Sequence, residues 1–372
     1  MQARLEKLNF TSAKADSPWT GPPAQWQHPS FPTLALNETA EKRFKELLPL
    51  FLHEPKWHHF DSEQANAIAV ALAEIDLPVT ALRSEVSSSN GDSHFHDHSN
   101  SDQTDDTTAS EAIFLPRIVP YRPERYGLTA EDFDHATMID VRLTTHRDET
   151  GRFAYSADQL ARWDVLRGEV PISGGSWVPS ATFPPDVPSM HQLGSKFSQL
   201  RALAPNAVLF VTLEPFHLMV DLQGVLAAQP DGLILQLDSV ALDGLELALM
   251  VLKTREQMDR LGNESTPLWI SPGEIGADDA AKLIALGASG VAVDSWFEHV
   301  WDNITSSSNS GYASRSHHLN QARLLANEMQ WYANRTMGLL HSMERFPKRE
   351  RLTSFDITWC DALNLQRVDL FG

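Results

Sequence analysis

The run Pro267-Leu-Trp-Ile-Ser-Pro-Gly-Glu274, a helical stretch, and then Leu286-Gly-Ala-Ser-Gly-Val-Ala-Val-Asp294-Ser295 constrain this chain more than any other segment. They read as a buried strand, a turn at Pro272-Gly273, a helix with Asp278 and Asp279 near its start, and a second buried strand. One helix between two strands with short turns is a crossover, and a crossover makes the strands parallel neighbours. A parallel sheet must be covered on both faces. Its chain therefore has to keep alternating strand and helix.

This one does. Strand-like runs recur at 78–82, 112–119, 138–143, 207–213, 232–237, 268–271 and 290–294. Helical spacing of apolar residues appears at 39–52, 62–74, 190–203, 216–228, 245–261 and 317–345. Asp61-Ser-Glu-Gln is a helix entry with acids in the first turn. The expected fold class is α/β, an aldolase-type (β/α)8 barrel, whole or else incomplete or distorted, with an N-terminal extension and a C-terminal helix. The 372 residues suffice for one such domain of roughly 250 residues plus extensions. The expected divisions are a flexible arm at 1–33, the barrel at 34–305, and a linker with a helical tail at 306–372. Residues 84–111 are polar, acidic and low in complexity, so a disordered insert is expected there. Within it His94, His96 and His98 alternate beside Asp92 and Asp97, either a metal-binding tract or a solvated loop.

Charge and cysteine content narrow the function classes. A net charge of −19 disfavours nucleic acid and anionic membrane as partners. A single cysteine, Cys360, leaves no disulfide framework, cysteine-based zinc site or iron–sulfur cluster within the chain. No apolar targeting segment or run of 18 apolar residues is present, so a soluble cytoplasmic protein is expected.

Several stretches, read in order, resemble the FMN-binding (β/α)8 domain of glutamate synthases. They are Tyr126-Gly-Leu-Thr-Ala-Glu-Asp-Phe-Asp-His-Ala-Thr-Met-Ile-Asp-Val-Arg142-Leu, the Ser180–Ser189 turn, Leu200–Phe210, Pro230–Leu235, the 267–295 segment and Gln321–Met329. The resemblance covers roughly 120–345. It implies an oxidoreductase acting on CH–NH2 donors, reducing 2-iminoglutarate with FMN, with electrons supplied by another subunit. Arg142 matches a lysine of the family. Arg142 would then hold a substrate carboxylate, with Asp238 or Glu214 at the reacting centre, while Ser271, Gly273 and Ser295 would hold the FMN phosphate.

The chain also departs from that pattern. The family's glycine-rich flavin loop falls on Gln236–Gly244, where Leu237, Val240 and Ala241 replace glycines. The family's strand lysine falls on Val211 or, with a one-residue slip, Thr212; neither is a cation. Pro272 removes a backbone donor at the phosphate end. Asp294 puts a carboxylate there, which repels a phosphate by about 1–4 kcal/mol at ~4 Å. Weak or lost activity is the consequence.

Structural readings stand beside these functional ones. Asp140 and Arg142 alternate with Ile139 and Val141, as either mouth residues or a buried ion pair. Asp238 follows a strand but also suits a helix cap. His146, His191 and His217 sit in loops or helix starts, and Ser173-Gly-Gly-Ser176 reads as a tight turn. Three functions remain: an FMN oxidoreductase, a barrel without flavin serving as a regulatory or scaffolding subunit, and an enzyme on another phosphorylated small molecule.

Overall fold

The computed structural model of the chain describes residues 4–11, 48–86, 115–121, 128–143, 154–155, 178–179, 190–216, 218–306, 315–343, 351–354 and 356–367. Eight strands form one sheet: β1 (Leu50–Phe51), β2 (Val79–Thr80), β3 (Arg117–Tyr121), β4 (Ala136–Arg142), β5 (Val208–Leu213), β6 (Gly232–Gln236), β7 (Leu268–Ser271) and β8 (Gly290–Ala292). Their hydrogen-bonded order is β1-β8-β7-β6-β5-β4-β3-β2, and every ladder is parallel. The ring closes between β1 and β2. Leu52 bridges Val79, its N–H donates to the Pro78 carbonyl, and the Thr80 N–H donates to the Leu52 carbonyl. The α/β barrel expected from the sequence is the fold.

Strand alternation gives the barrel two cores. Phe51, Ile118, Met138, Val208, Phe210, Ile234, Trp269 and Ala292 fill the lumen. Their neighbours, such as Leu50, Ile139, Val211, Leu235 and Val291, face outward into the larger core under the helices. Three aromatic rings fit in the lumen because glycines stand beside them. A Cβ on Gly232 would lie 2.2 Å from the Phe210 ring, and one on Gly290 would lie 2.9 Å from the Trp269 indole. Each buried ring contributes about 1.5–3 kcal/mol through lost contact with water.

The helices are α1 (Ser62–Ala73), α2 (Arg83–Val86), α3 (Leu193–Leu203), α4 (Leu218–Ala227), α5 (Gly244–Arg260), α6 (Ala277–Ala285), α7 (Asp294–Ser306), α8 (Arg315–Met343) and α9 (Ile357–Leu363). Asp61 with Gln64, and Asp243 with Glu246, make capping boxes that fix where α1 and α5 begin. Helix α8 packs against α1, α6 and α7, with Leu325, Met329, Tyr332 and Met343 fully buried. It is a member of the helical ring rather than a tail. The Tyr332 hydroxyl donates to the Ile275 carbonyl and the Thr336 hydroxyl to that of Ala277, tying α8 to the start of α6.

Four expectations need correction. The helical reading of 39–52 fails at its end, where Leu50–Phe51 is β1. A three-residue apolar run has no period, and pairing with β8 and β2 decides its state. Residues Arg4–Thr11 of the expected flexible arm are docked: Leu8–Phe10 pairs antiparallel with Leu352–Ser354, and Leu5 and Leu8 are buried. Ser84–Val86 of the expected disordered insert lies within α2. Asp294, read as a strand end, is the first residue of α7. The rest of the insert with its three histidines, His146, His217 and the Ser173–Ser176 turn lie outside the described residues.

The lumen glycines carry a test. Gly232→Ala should lower unfolding stability by about 1–3 kcal/mol through overpacking against Phe210. Gly194→Ala, at a helical position with open space, should raise it by about 0.5–1 kcal/mol. Urea unfolding of the two variants measures both, and equal midpoints would contradict the lumen packing.

Candidate functional site

At the carboxyl ends of the strands the lumen turns from aromatic to charged. The side-chain alternation that buries Met138 continues to Asp140 and Arg142 on β4, and that of Phe210 continues to Thr212 on β5. Beyond β1 the chain runs into His53 and Glu54. This face of a (β/α)8 barrel is where catalytic groups sit.

These groups form one connected network. Arg142 Nε donates to Asp140 Oδ2 at 2.6 Å, Nη1 donates to Glu54 Oε1, and Nη2 donates to the His53 carbonyl at 3.1 Å. The Thr212 hydroxyl donates to Asp140 Oδ1 at 2.6 Å, and His53 Nε2 lies 3.3 Å from Asp140 Oδ2. From the β8 side, the Asp294 carboxylate accepts the backbone N–H of His53 at 3.1 Å and of Glu54 at 2.8 Å. His53 and Asp140 are wholly buried, and Arg142 nearly so. Glu54 is the partner closest to solvent, its side chain 32% exposed.

Burial sets the ionisation here. It pulls the Arg142 guanidinium down to about 10, against the carboxylates of Asp238 and Asp294, so Arg142 stays charged at neutral pH. Burial likewise pushes Asp294 up to about 7, helped by Asp238 and Glu298 and opposed by the His53 amide. Asp238 is raised by burial and held back by the Gln236 side chain and Arg142. Its side chain reaches solvent at the rim, so water screens much of that push.

Arg142 lies at the centre of the network, with Asp238 on the rim beyond β6. Glu214 follows β5 and is half-buried. Ser271 ends β7 and is buried. Gly273 makes the turn after β7 with φ +80, which only glycine adopts without strain. Ser295 is the second residue of α7, half-buried. Of the two positions at 211 and 212, Val211 faces the helices and Thr212 faces the mouth. His191 is exposed in a short 3-10 turn.

The sequence reading missed His53, Glu54 and Arg4. His53 and Glu54 follow a short apolar run, and a strand assignment for Leu50–Leu52 would have placed them at the mouth. Arg4 carries no such pattern. Its Nη1 donates to the Pro272 carbonyl and its Nη2 to the Leu242 carbonyl, both at 2.6 Å.

This arrangement can be tested against FMN, whose phosphate in such barrels lies near the loops after β7 and β8. Pro272 has no N–H, and its carbonyl is turned to a guanidinium. The amides of His53 and Glu54 are spent on Asp294. Asp279 in the first turn of α6 takes the Arg4 N–H at 2.8 Å. Pro272, Asp279, Asp294 and the two engaged amides present acceptors and carboxylates where a phosphate needs donors, so these groups do not fit it.

No family model matches the sequence. No curated protein matches it. Among solved structures, the chain is similar to a mandelate oxidase mutant with (S)-mandelic acid, at 14% identity and TM-score 0.43, over 88% of this chain and 82% of that one. A mandelate oxidase mutant with 3,3,3-trifluoro-2,2-dihydroxypropanoic acid gives 14% and 0.44, over 89% and 82%. Mandelate oxidase itself gives 14% and 0.44, over 88% and 82%. At that distance the likeness speaks to neither activity nor cofactor. The (β/α)8 assignment stands on the strand ladder. Among the described residues no helix is long and apolar enough to cross a membrane, and no group of three or more metal-ligating side chains occurs.

Asp294 yields a pH prediction. An acid whose folded pKa is raised from 3.8 to about 7 stabilises the fold below pH 3.8 and loses that contribution as pH rises through 7. Asp294→Asn should therefore flatten the fall in stability across that window. Urea midpoints at pH 5 and pH 8 measure it: the wild type should lose more than the variant. Parallel losses would show that Asp294 titrates normally.

Proposed function

We propose that the chain is a glutamate-synthase-like oxidoreductase barrel by descent, with FMN-dependent reduction of 2-iminoglutarate weak or lost, acting as a regulatory or scaffolding subunit. The resemblance over roughly 120–345 supports the descent. One observation carries the loss. Arg142, the group fitted to receive a substrate carboxylate, directs its donors to Asp140, Glu54 and the His53 carbonyl. A substrate carboxylate would have to displace Glu54 and enter beside Asp294 and Asp238. The mismatch at the phosphate end works in the same direction. A partner subunit, such as the electron-supplying one that the resemblance implies, fits this reading better than a phosphorylated ligand.

A second reading is favoured by the buried His53–Asp140 pair with Thr212, under two carboxyls of raised pKa. Perturbed groups gathered at a barrel's carboxyl face are a functional-site pattern. They suit acid–base chemistry on an uncharged or cationic small molecule.

An absorbance spectrum of the purified protein, before and after incubation with FMN and gel filtration, tests the first reading. It should show no flavin band. Stoichiometric yellow protein bleached by dithionite would overturn it.

A further inference from the structure

The feature that neither reading uses is the docked N-terminal segment. Arg4 reaches the carboxyl face on the β6–β7 side, and the segment runs from there along α6 to Leu352–Ser354. Its anchors come from three elements of that face. The guanidinium of Arg4 caps the carbonyls of Leu242, between β6 and α5, and of Pro272, after β7. The Arg4 N–H donates to Asp279 in the first turn of α6, and Lys282 of α6 donates to the Leu5 carbonyl at 2.9 Å.

The receiving surface is shaped for this backbone. A Cβ on Gly244 would lie 1.9 Å from the Arg4 carbonyl oxygen, so the first residue of α5 has to be glycine for the segment to lie there. Asp238 Cβ and Arg4 Nη1 both lie near Gly273, 3.5 Å and 3.8 Å from where its Cβ would stand. The segment thus borders the rim carboxylate of the mouth. Its far end is held by residues 351–356 and by α6, whose Lys282 Nζ lies 5.8 Å from the centre of the Phe10 ring. Leu8–Phe10 pairs with Leu352–Ser354, the Thr11 N–H donates to the Arg351 carbonyl, and Lys7 pairs with Asp356 at 2.8 Å.

We propose that this segment is a strap and that Arg4 is its latch, seated in a guanidinium receptor formed by the Leu242 and Pro272 carbonyls. Two convergent carbonyls match the planar fork of a guanidinium, and they reject an anion. Released, the strap uncovers the Asp238 side of the mouth and leaves a slot that takes a guanidinium group from elsewhere. The proposal holds whether or not the barrel catalyses a reaction.

Hydrogen exchange on the full chain tests it, comparing the wild type with Arg4→Ala and Arg4→Lys. In Arg4→Ala, the amides of Leu8–Thr11 and Leu352–Ser354 should exchange at least about tenfold faster, while those of β5–β7 keep their protection. Methylguanidinium at millimolar concentration should restore strap protection in Arg4→Ala, and methylammonium should not. Arg4→Lys, whose single ammonium cannot present the planar fork, should be intermediate; it also serves if Arg4→Ala does not fold. Unchanged strap exchange in both variants would overturn the latch. Loss of protection throughout the barrel, or the same response to both cations, would overturn the receptor.

Discussion

The mouth of the barrel depends on one buried cation. Removing a guanidinium from water costs several kcal/mol unless its charge and its N–H groups are met inside the protein. Arg142 meets this with Asp140 two residues earlier on its own strand, and with Glu54 and the His53 carbonyl across the ring. That demand explains why β1 can be only two residues long. The ladder holds it weakly, but the residues just beyond it are held from β4 by Arg142 and from β8 by Asp294. Barrel closure and mouth chemistry share the same groups.

The same network inverts the polarity that an anionic cofactor requires. Asp140, Glu54, Asp238 and Asp294 surround a single arginine, and the His53 and Glu54 amides and the His53 carbonyl already have intramolecular partners. On the far side of the mouth, Arg4 neutralises carbonyls rather than offering a free cation. Binding groups of this kind normally point into the open mouth; here they are turned onto one another. The chain has the (β/α)8 frame that the resemblance implied, and the polar groups at its mouth bind one another.

How much of this is legible in the sequence depends on the range of each interaction. Strands β5 to β8 can be read because buried parallel strands are uninterrupted apolar runs bounded by turns, as at Leu268–Ser271. The Asp140–Arg142 pair is legible because both lie on one strand at a spacing of two. β1 is not legible, since Leu50–Leu52 is too short to show a period and follows a stretch with helical spacing. Losing β1 hides His53 and Glu54, the far half of the network. Arg4 meets Pro272 across a separation of 268 residues, with no local pattern to announce it. Asp294 is visible as a misplaced carboxylate, yet its role needs the β1 amides in place.

The central claim is that Arg142 is locked into the frame by its partners, and a double-mutant cycle between Asp140 and Arg142 tests it most directly. Unfolding free energies are measured for Asp140→Asn, Arg142→Met and the double variant. Arg142→Met alone should cost about 3–5 kcal/mol, because it leaves Asp140 buried and uncompensated. The double variant should recover part of that loss, with a coupling of roughly 2–3 kcal/mol. Additive effects, with coupling under about 0.5 kcal/mol, would contradict the account and leave Arg142 free to serve a ligand.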